Sequence, residues 1–203
     1  MAQGPAVPAE PSSTPAELPS AWIAFEHEWS GVGAYSATVT VFDQKGTQVQ
    51  NIVFDYVFRK PSSATVHVVK GPNAGGTLVW SGADTVTAHR GSGFLAMFTM
   101  TYGLHSPVVT SLSGWSIDQL SFAAVLSHGQ DTAGTASQAA GPVIDGNPTE
   151  AVSLVPASSA ADDGLTLEVV DISSTTNLPV RCLGYEGSTL VRQVQFSDLK
   201  LQS

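Results

Sequence analysis

Residues 35–41, Tyr35-Ser36-Ala37-Thr38-Val39-Thr40-Val41, alternate apolar and hydroxyl-bearing side chains and decide the fold class. This period of two is typical of a β-strand with one buried face. Gln44-Lys45-Gly46 then forms a turn, and residues 52–58 repeat the alternation. One face of that second stretch carries Ile52, Phe54, Tyr56 and Phe58. The pattern predicts two adjacent antiparallel strands.

Outward from this pair, further short strands are separated by turn-forming residues. They are predicted at residues 64–70, 77–80, 85–90, 150–155, 165–170, 178–185 and 190–201. Such a meander leaves little room for crossover helices, and a sheet of this size must curl to bury one face. We therefore predict a mainly β fold, an incomplete antiparallel β-barrel formed by a curved sheet.

Two helices are predicted beside the sheet. Trp22, Phe25 and Trp29 follow helical spacing between Pro19 and Ser30, which indicates an N-terminal helix. Further along, Ser116 and Gln119 form a capping-box signature before apolar residues. This signature predicts a short helix over residues 117–128, ended by Gly129.

Two stretches lack any periodicity. Residues 1–20 are rich in Ala, Pro and Ser and predict a flexible tether. Residues 130–148 are rich in Ala, Gly, Thr and Ser and predict a mobile surface loop. The remaining chain, residues 21–203, is then one domain of ordinary size.

Composition excludes several classes of function. The formal net charge is −9, from 8 Lys and Arg against 17 Asp and Glu, which argues against nucleic-acid binding. A single cysteine permits no internal disulfide and no thiolate metal cluster. No apolar run approaches the roughly 18 residues of a membrane span.

Motifs that mark catalysis or metal binding are missing from the sequence. The five histidines fall in different predicted elements, and neither H-E-x-x-H nor G-x-S-x-G occurs. We therefore predict no catalytic residues, no metal and no cofactor. An enzyme remains an alternative, because folding can bring distant Ser, His and Asp residues together.

The strongest functional signal is the apolar stretch at residues 94–102. Its large side chains are Phe94, Met97, Phe98, Met100 and Tyr102. Met and Phe pack adaptably against varied apolar ligands, so the stretch fits the wall of a ligand cavity. A plain core strand is the alternative interpretation.

Three stretches, in the same order, resemble the LolA/LolB-like superfamily of periplasmic carriers and receptors of lipoproteins. The first is Tyr35-Ser36-Ala37 after a helix, followed by Phe58-Arg59-Lys60-Pro61. The second is residues 76–86, Gly-Thr-Leu-Val-Trp-Ser-Gly-Ala-Asp-Thr-Val. The third runs from Leu178-Pro179-Val180-Arg181 through Tyr185-Glu186-Gly187 to residues 194–200, Val-Gln-Phe-Ser-Asp-Leu-Lys.

The resemblance implies an unclosed barrel with a helical lid over an apolar cavity and no catalytic residues. The expected function is that of a periplasmic or cell-envelope carrier or receptor, a monomer that binds acyl chains of lipoproteins or lipids. A membrane-bound transfer partner and a lipid-anchored form are compatible with it. The alternative is an envelope sensor or protein-interaction module on the same fold.

Cavity and lid residues follow from this expectation. The predicted cavity residues are Ile52, Phe54, Tyr56, Phe58, Phe94, Met97, Phe98, Met100 and Tyr102. The candidates for lid or latch are Arg59, Lys60, Ile117 and Leu120. In the lipoprotein carriers an arginine directly before the proline is associated with holding the lid closed. Here Lys60 occupies that place, and a shift of one residue along a strand reverses the face.

Overall fold

The computed structural model describes residues 18–89 and 99–202, which form eleven strands, two α-helices and two 3-10 helices. The first half holds α1 (Ser20–Gly31), β1 (Ala34–Lys45), β2 (Gln48–Arg59), β3 (Ser63–Lys70), β4 (Thr77–Trp80), β5 (Thr85–His89) and β6 (Thr99–Gly103). The second half holds a 3-10 helix (Ile117–Leu120), α2 (Phe122–Thr132), β7 (Ala133–Ala140), β8 (Thr149–Pro156), a 3-10 helix (Ser159–Asp162), β9 (Leu167–Ser173), β10 (Pro179–Glu186) and β11 (Thr189–Gln202).

All eleven strands belong to one antiparallel sheet. Their order across the sheet is β6-β5-β4-β3-β2-β1-β11-β10-β9-β8-β7, so the first and last strands of the chain meet at its centre. Within the described residues, β6 and β7 are the two edges, and the sheet curves without closing. The predicted mainly β, incomplete antiparallel barrel is confirmed.

The register explains the alternation in the sequence. Tyr35 lies opposite Phe58, Val39 opposite Phe54, and Val41 opposite Ile52. Opposed residues share a face, so the apolar sets of β1 and β2 face the same side of the sheet. This side is the concave face, and burial of its side chains from water is the main force that holds the sheet to the helices.

The helices meet the sheet through a group of eight rings, here called the aromatic cluster. Its members are Trp22, Phe25, Trp29, Tyr35, Tyr56, Phe58, Phe122 and Phe196. Phe122 of α2 stacks on Tyr35 of β1 with 4.4 Å between ring centroids and an angle of 9° between the planes. The rings of Phe25 and Trp29 meet Phe122 edge-on. The predicted N-terminal helix is confirmed, and its three aromatic residues dock it.

The predicted helix over residues 117–128 is two helices. Its first turn is the 3-10 helix Ile117–Leu120, whose capping box between Ser116 and Gln119 is present as predicted. Ser121 then adopts an extended conformation, and its Oγ accepts a hydrogen bond from the backbone N–H of Ala124 at 3.1 Å. A serine in this role starts a new helix, so the chain breaks here and α2 begins.

Gly129 does not end the helix, because α2 continues to Thr132. The glycine instead permits close packing of the two helices. A Cβ atom added at Gly129 would lie 2.5 Å from the indole atoms Cη2 and Cζ2 of Trp22. The missing side chain is therefore what lets the buried Trp22 of α1 rest against α2.

We expect Gly129→Ala to lower the free energy of unfolding by about 1–3 kcal/mol, the usual cost of overpacking. The added methyl overlaps a rigid, fully buried indole ring that has little room to move. Urea denaturation measures the change. Gly31→Ala is the matched control, because nothing lies within 4 Å of its added Cβ, and it should stay within about 0.5 kcal/mol of the unchanged protein. Equal midpoints for both variants would contradict the packing argument.

The prediction of a mobile loop at residues 130–148 is wrong over most of that range. Residues 130–132 complete α2, and β7 follows as an edge strand paired with β8 in the register Ala136 to Leu154. The sequence hid this strand because its side chains are small and mostly exposed, so burial imposes no alternation on them. For the predicted tether, residues 1–17 lie outside the described residues, and α1 begins at Ser20.

Candidate ligand-binding cavity

The concave face of the sheet is covered unevenly. α1 packs against α2, β8 and β9. Over β1 to β6 and part of β11 a cavity of about 590 Å³ remains. Its apolar lining includes Val41, Ile52, Phe54, Val66, Val68, Leu78, Ala88, Met100, Val109, Ile117, Leu120 and Val194. The curled sheet therefore forms one wall of a mainly apolar pocket.

Residues 104–116, here called the covering segment, lead from β6 across this cavity to the 3-10 helix. Asp43 anchors it, because Oδ2 accepts from Ser113 N at 2.8 Å and Oδ1 accepts from Ser113 Oγ at 2.5 Å. Gln50 Oε1 accepts a further bond from Leu112 N at 3.1 Å. Asp43 is only 1% exposed, so these bonds replace the water that a buried carboxylate loses.

Polar side chains gather at one end of the cavity. Asp43 of β1 lies opposite Gln50 of β2 on one side and opposite Arg192 of β11 on the other. All three line the cavity. Further along the same strands the lining is apolar, with Val41, Ile52 and Val194. The cavity therefore has a polar end and an apolar body.

A serine, a histidine and an aspartate also meet at the covering segment. Ser116 Oγ donates to Asp118 Oδ1 at 2.5 Å and lies 3.3 Å from His105 Nδ1. In a hydrolytic triad the carboxylate orients the imidazole, which in turn takes the proton of the serine. Here the carboxylate contacts the serine instead, and the serine caps the 3-10 helix. This trio explains local structure rather than catalysis.

The cavity brings together four of the predicted cavity residues and two of the predicted lid residues. These six are Ile52, Phe54, Met100, Tyr102, Ile117 and Leu120. Tyr56 and Phe58 share the face of Ile52 but lie further along β2, where the helices cover the sheet. Both pack in the aromatic cluster and do not line the cavity. The predicted cavity residues Phe94, Met97 and Phe98 lie outside the described residues.

The latch candidates act at α1. Lys60 Nζ donates to the backbone carbonyl of Trp29 at 2.6 Å and to that of Ser30 at 3.3 Å. It also lies 4.2 Å from the centroid of the Trp29 ring. A cation at the C-terminal end of a helix stabilises it, so Lys60 ties α1 to the end of β2. Arg59 is exposed. Lys60 thus contacts α1, and a latch role for Lys60 stays a prediction.

Sequence reasoning missed a polar group, here called the His128 cluster, formed by His128, Asp162, Glu168 and Arg192. His128 Nε2 lies 2.9 Å from Asp162 Oδ1 and 3.1 Å from Glu168 Oε2, and Arg192 Nη2 pairs with Glu168 Oε1. The Asp162 and Glu168 carboxylates raise the pKa of His128 to about 10. Burial raises the pKa of Glu168, but His128 and Arg192 outweigh burial and hold it below its usual value.

Arg192 connects the His128 cluster to the main cavity. Its guanidinium lies 3.5 Å from the centroid of the Trp115 ring, a cation–π contact with the covering segment. Arg192 and Trp115 line both the main cavity and a second one of about 70 Å³, which His128 and Glu168 also line. No local sequence signal could have shown this group, because its members come from α2, a 3-10 helix, β9 and β11.

No protein-family model and no curated protein sequence matches this chain. Solved structures do resemble it. An uncharacterised conserved protein from Thermus thermophilus has a TM-score of 0.53 at 8% identity, with 90% of this chain and 86% of that chain covered. The lipoprotein LppX of Mycobacterium tuberculosis has a TM-score of 0.50 at 14% identity, with 90% and 92% covered. A LolA superfamily protein from Nitrosomonas europaea has a TM-score of 0.40 at 9% identity, with 90% and 94% covered.

The chain shares its fold, an unclosed curved sheet with two α-helices, with the Thermus protein and with LppX. The first two likenesses extend over nine tenths of the chain, so the shared fold includes both the covered and the open half of the sheet. In the part of the chain that the structure describes, no helix is both long and apolar enough to cross a membrane.

Proposed function

We propose that this chain is a non-catalytic cell-envelope carrier or receptor that binds the acyl chains of a lipid or lipoprotein in the 590 Å³ cavity. The observation that carries the proposal is the apolar concave wall over β1 to β6, left open beside a well-packed aromatic cluster. The lipoprotein LppX shares this fold, which supports a role in the cell envelope. Delivery from such a site then requires a membrane or a membrane-bound partner that receives the chain.

The size and lining of the cavity support an acyl ligand. Its volume falls within the roughly 300–1,000 Å³ common for small-molecule sites. Each buried methylene contributes about 0.8 kcal/mol, so ten of them contribute about 8 kcal/mol before ordering costs. The adaptable Met100 and the aliphatic side chains around it accept hydrocarbon without a fixed shape.

The polar end of the cavity supports an amphipathic ligand. Asp43, Gln50 and Arg192 lie side by side there. A carboxyl, ester or amide group can hydrogen-bond at this end while its hydrocarbon lies along Ile52 and Val194. Because Asp43 already accepts two hydrogen bonds from Ser113, the donors left for such a group are the side-chain N–H groups of Gln50 and Arg192.

The test is a titration of the purified protein with saturated fatty acids of 8, 10 and 12 carbons, each below its micelle-forming concentration. We expect the dissociation constant to fall about tenfold for each two methylenes added, because each pair contributes about 1.6 kcal/mol. Isothermal titration calorimetry measures it. The three acids share one head group, so charge is constant across the series.

Binding that is independent of chain length, or no binding at any length, would contradict the acyl-chain proposal. Length-independent binding would place the affinity in the head group alone. Mass spectrometry of lipids extracted from gently purified protein gives a second measurement. A lipid retained at near one per chain supports the carrier, and extraction of none from protein that also fails the titration rejects it.

A further inference from the structure

We propose that His128, Asp162 and Glu168 form a binding site for one divalent transition-metal cation, of the class of Zn²⁺, that clasps α2 to the sheet. The site is separate from the acyl-chain proposal and does not depend on it. Each residue offers one ligand atom, and the three atoms lie within 4.8 Å of one another. One imidazole nitrogen with two carboxylate oxygens is a ligand set that such cations accept.

The directions of the contacts at His128, rather than their lengths, suit an ion. His128 Nε2 lies 2.9 Å from Asp162 Oδ1 and 3.1 Å from Glu168 Oε2. Yet the buried Nε2 has no hydrogen-bond partner of acceptable direction among the described residues, so neither oxygen lies in line with its N–H bond. Ligand atoms held about 2.1 Å from one ion lie about 3–3.5 Å apart, on either side of its position.

A second observation is the unsatisfied carboxylate of Asp162. Asp162 is 3% exposed, and its Oδ2 is buried without a hydrogen-bond donor within residues 18–89 and 99–202. A buried carboxylate oxygen without a hydrogen-bond donor costs free energy. When the protein chain supplies no donor, a water molecule or an ion commonly contacts such an oxygen. A cation bound at Oδ1 offsets the negative charge that the carboxylate shares between its two oxygens.

Solvent access and charge also suit an ion. The His128 side chain is 30% exposed although its Nε2 is buried, so a small movement of the ring lets a cation reach this nitrogen. Glu168 lines the small cavity of about 70 Å³, which leaves room for a water molecule in a fourth coordination position. Arg192 holds the other oxygen of Glu168 and so orients this carboxylate, as partners of metal ligands commonly do.

The three ligands come from three separate elements. His128 is on α2, Asp162 ends the 3-10 helix after β8, and Glu168 is on β9. An ion bound by all three fixes the C-terminal half of α2 over β9, in the half of the sheet away from β1 to β6. Because the ion would join α2, a 3-10 helix and β9, we assign it a role in stabilising the fold.

The test uses the tag-free full chain, stripped with EDTA and titrated with ZnCl₂ by calorimetry. We expect one Zn²⁺ per chain with a dissociation constant of about 1 µM or lower, and a rise in the thermal midpoint of at least about 4 °C at a hundredfold excess over that constant. Co²⁺ in its place should give visible absorption bands. His128→Gln and Asp162→Asn should each weaken Zn²⁺ binding at least about tenfold, while His27→Gln, which removes an exposed imidazole on α1, should leave it unchanged.

If a variant fails to fold, Zn²⁺ titration of the unchanged protein alone still tests the proposed site. No stoichiometric Zn²⁺ binding below about 100 µM, with no shift of the midpoint, overturns the proposal. So does tight binding that survives in a folded His128→Gln or Asp162→Asn protein, or that is lost in His27→Gln. In these cases the cluster is a set of ion pairs around a protonated imidazole.

Discussion

Replacing Phe122 by alanine is expected to lower the free energy of unfolding by about 3–5 kcal/mol, the usual cost of deleting a buried phenylalanine. Phe122 is fully buried and stacks on Tyr35, while Phe25 and Trp29 of α1 and Phe196 of β11 meet it edge-on. It therefore joins both helices to the centre of the sheet. Urea denaturation followed by far-UV circular dichroism measures the change.

The control is Ile23→Ala, on the outer side of α1. Ile23 is 55% exposed and should change stability by no more than about 0.5 kcal/mol. A cost below about 1 kcal/mol for Phe122→Ala would mean that α2 is not docked as the structure has it.

Local periodicity predicted most of the fold. The alternation of residues 35–41 and 52–58 reflects a sheet with one face buried from water. The i, i+3, i+7 spacing of Trp22, Phe25 and Trp29 reflects a helix that packs on the sheet through one side. In each case burial acts on every second or every third to fourth residue, so it leaves a visible mark in the sequence. The capping box at Ser116 was visible for a similar reason, because both partners lie within four residues.

Sequence analysis missed the features that leave no local pattern in the sequence. β7 is an edge strand of small, mostly exposed residues, so nothing in its sequence distinguishes it from a loop. The His128 cluster joins residues 6 to 64 positions apart, and such a pairing is set by the order of strands rather than by spacing.

The sequence predicted an apolar face on β2, and the structure shows which part of that face lines a pocket. Residues 52–58 share one face of β2, and their periodicity cannot tell a packed core from an open wall. Ile52 and Phe54 line the cavity, whereas Tyr56 and Phe58 lie under the helices. The boundary between these pairs depends on where α1 and α2 end, which is a property of the tertiary structure.

Ile52→Glu is expected to weaken acyl-chain binding at least about a hundredfold while the protein stays folded. Ile52 lines the cavity and is only half-buried, so in the empty protein the carboxylate can remain hydrated. A bound acyl chain would displace that water, and burial of an unpaired carboxylate against hydrocarbon costs several kcal/mol. Titration with dodecanoate and thermal unfolding of the same variant measure the two effects separately.

Val53→Glu is the matched control, because Val53 is the next residue of β2, is also half-buried and points to the opposite face of the sheet. The same charge at nearly the same place on the strand should then leave the affinity within about threefold of the unchanged protein. Equal loss of affinity in both variants would indicate damage to the sheet rather than to a site. Unchanged affinity in a folded Ile52→Glu protein would show that the acyl chain does not bind against β2. The proposed function would then be contradicted, because it rests on this cavity.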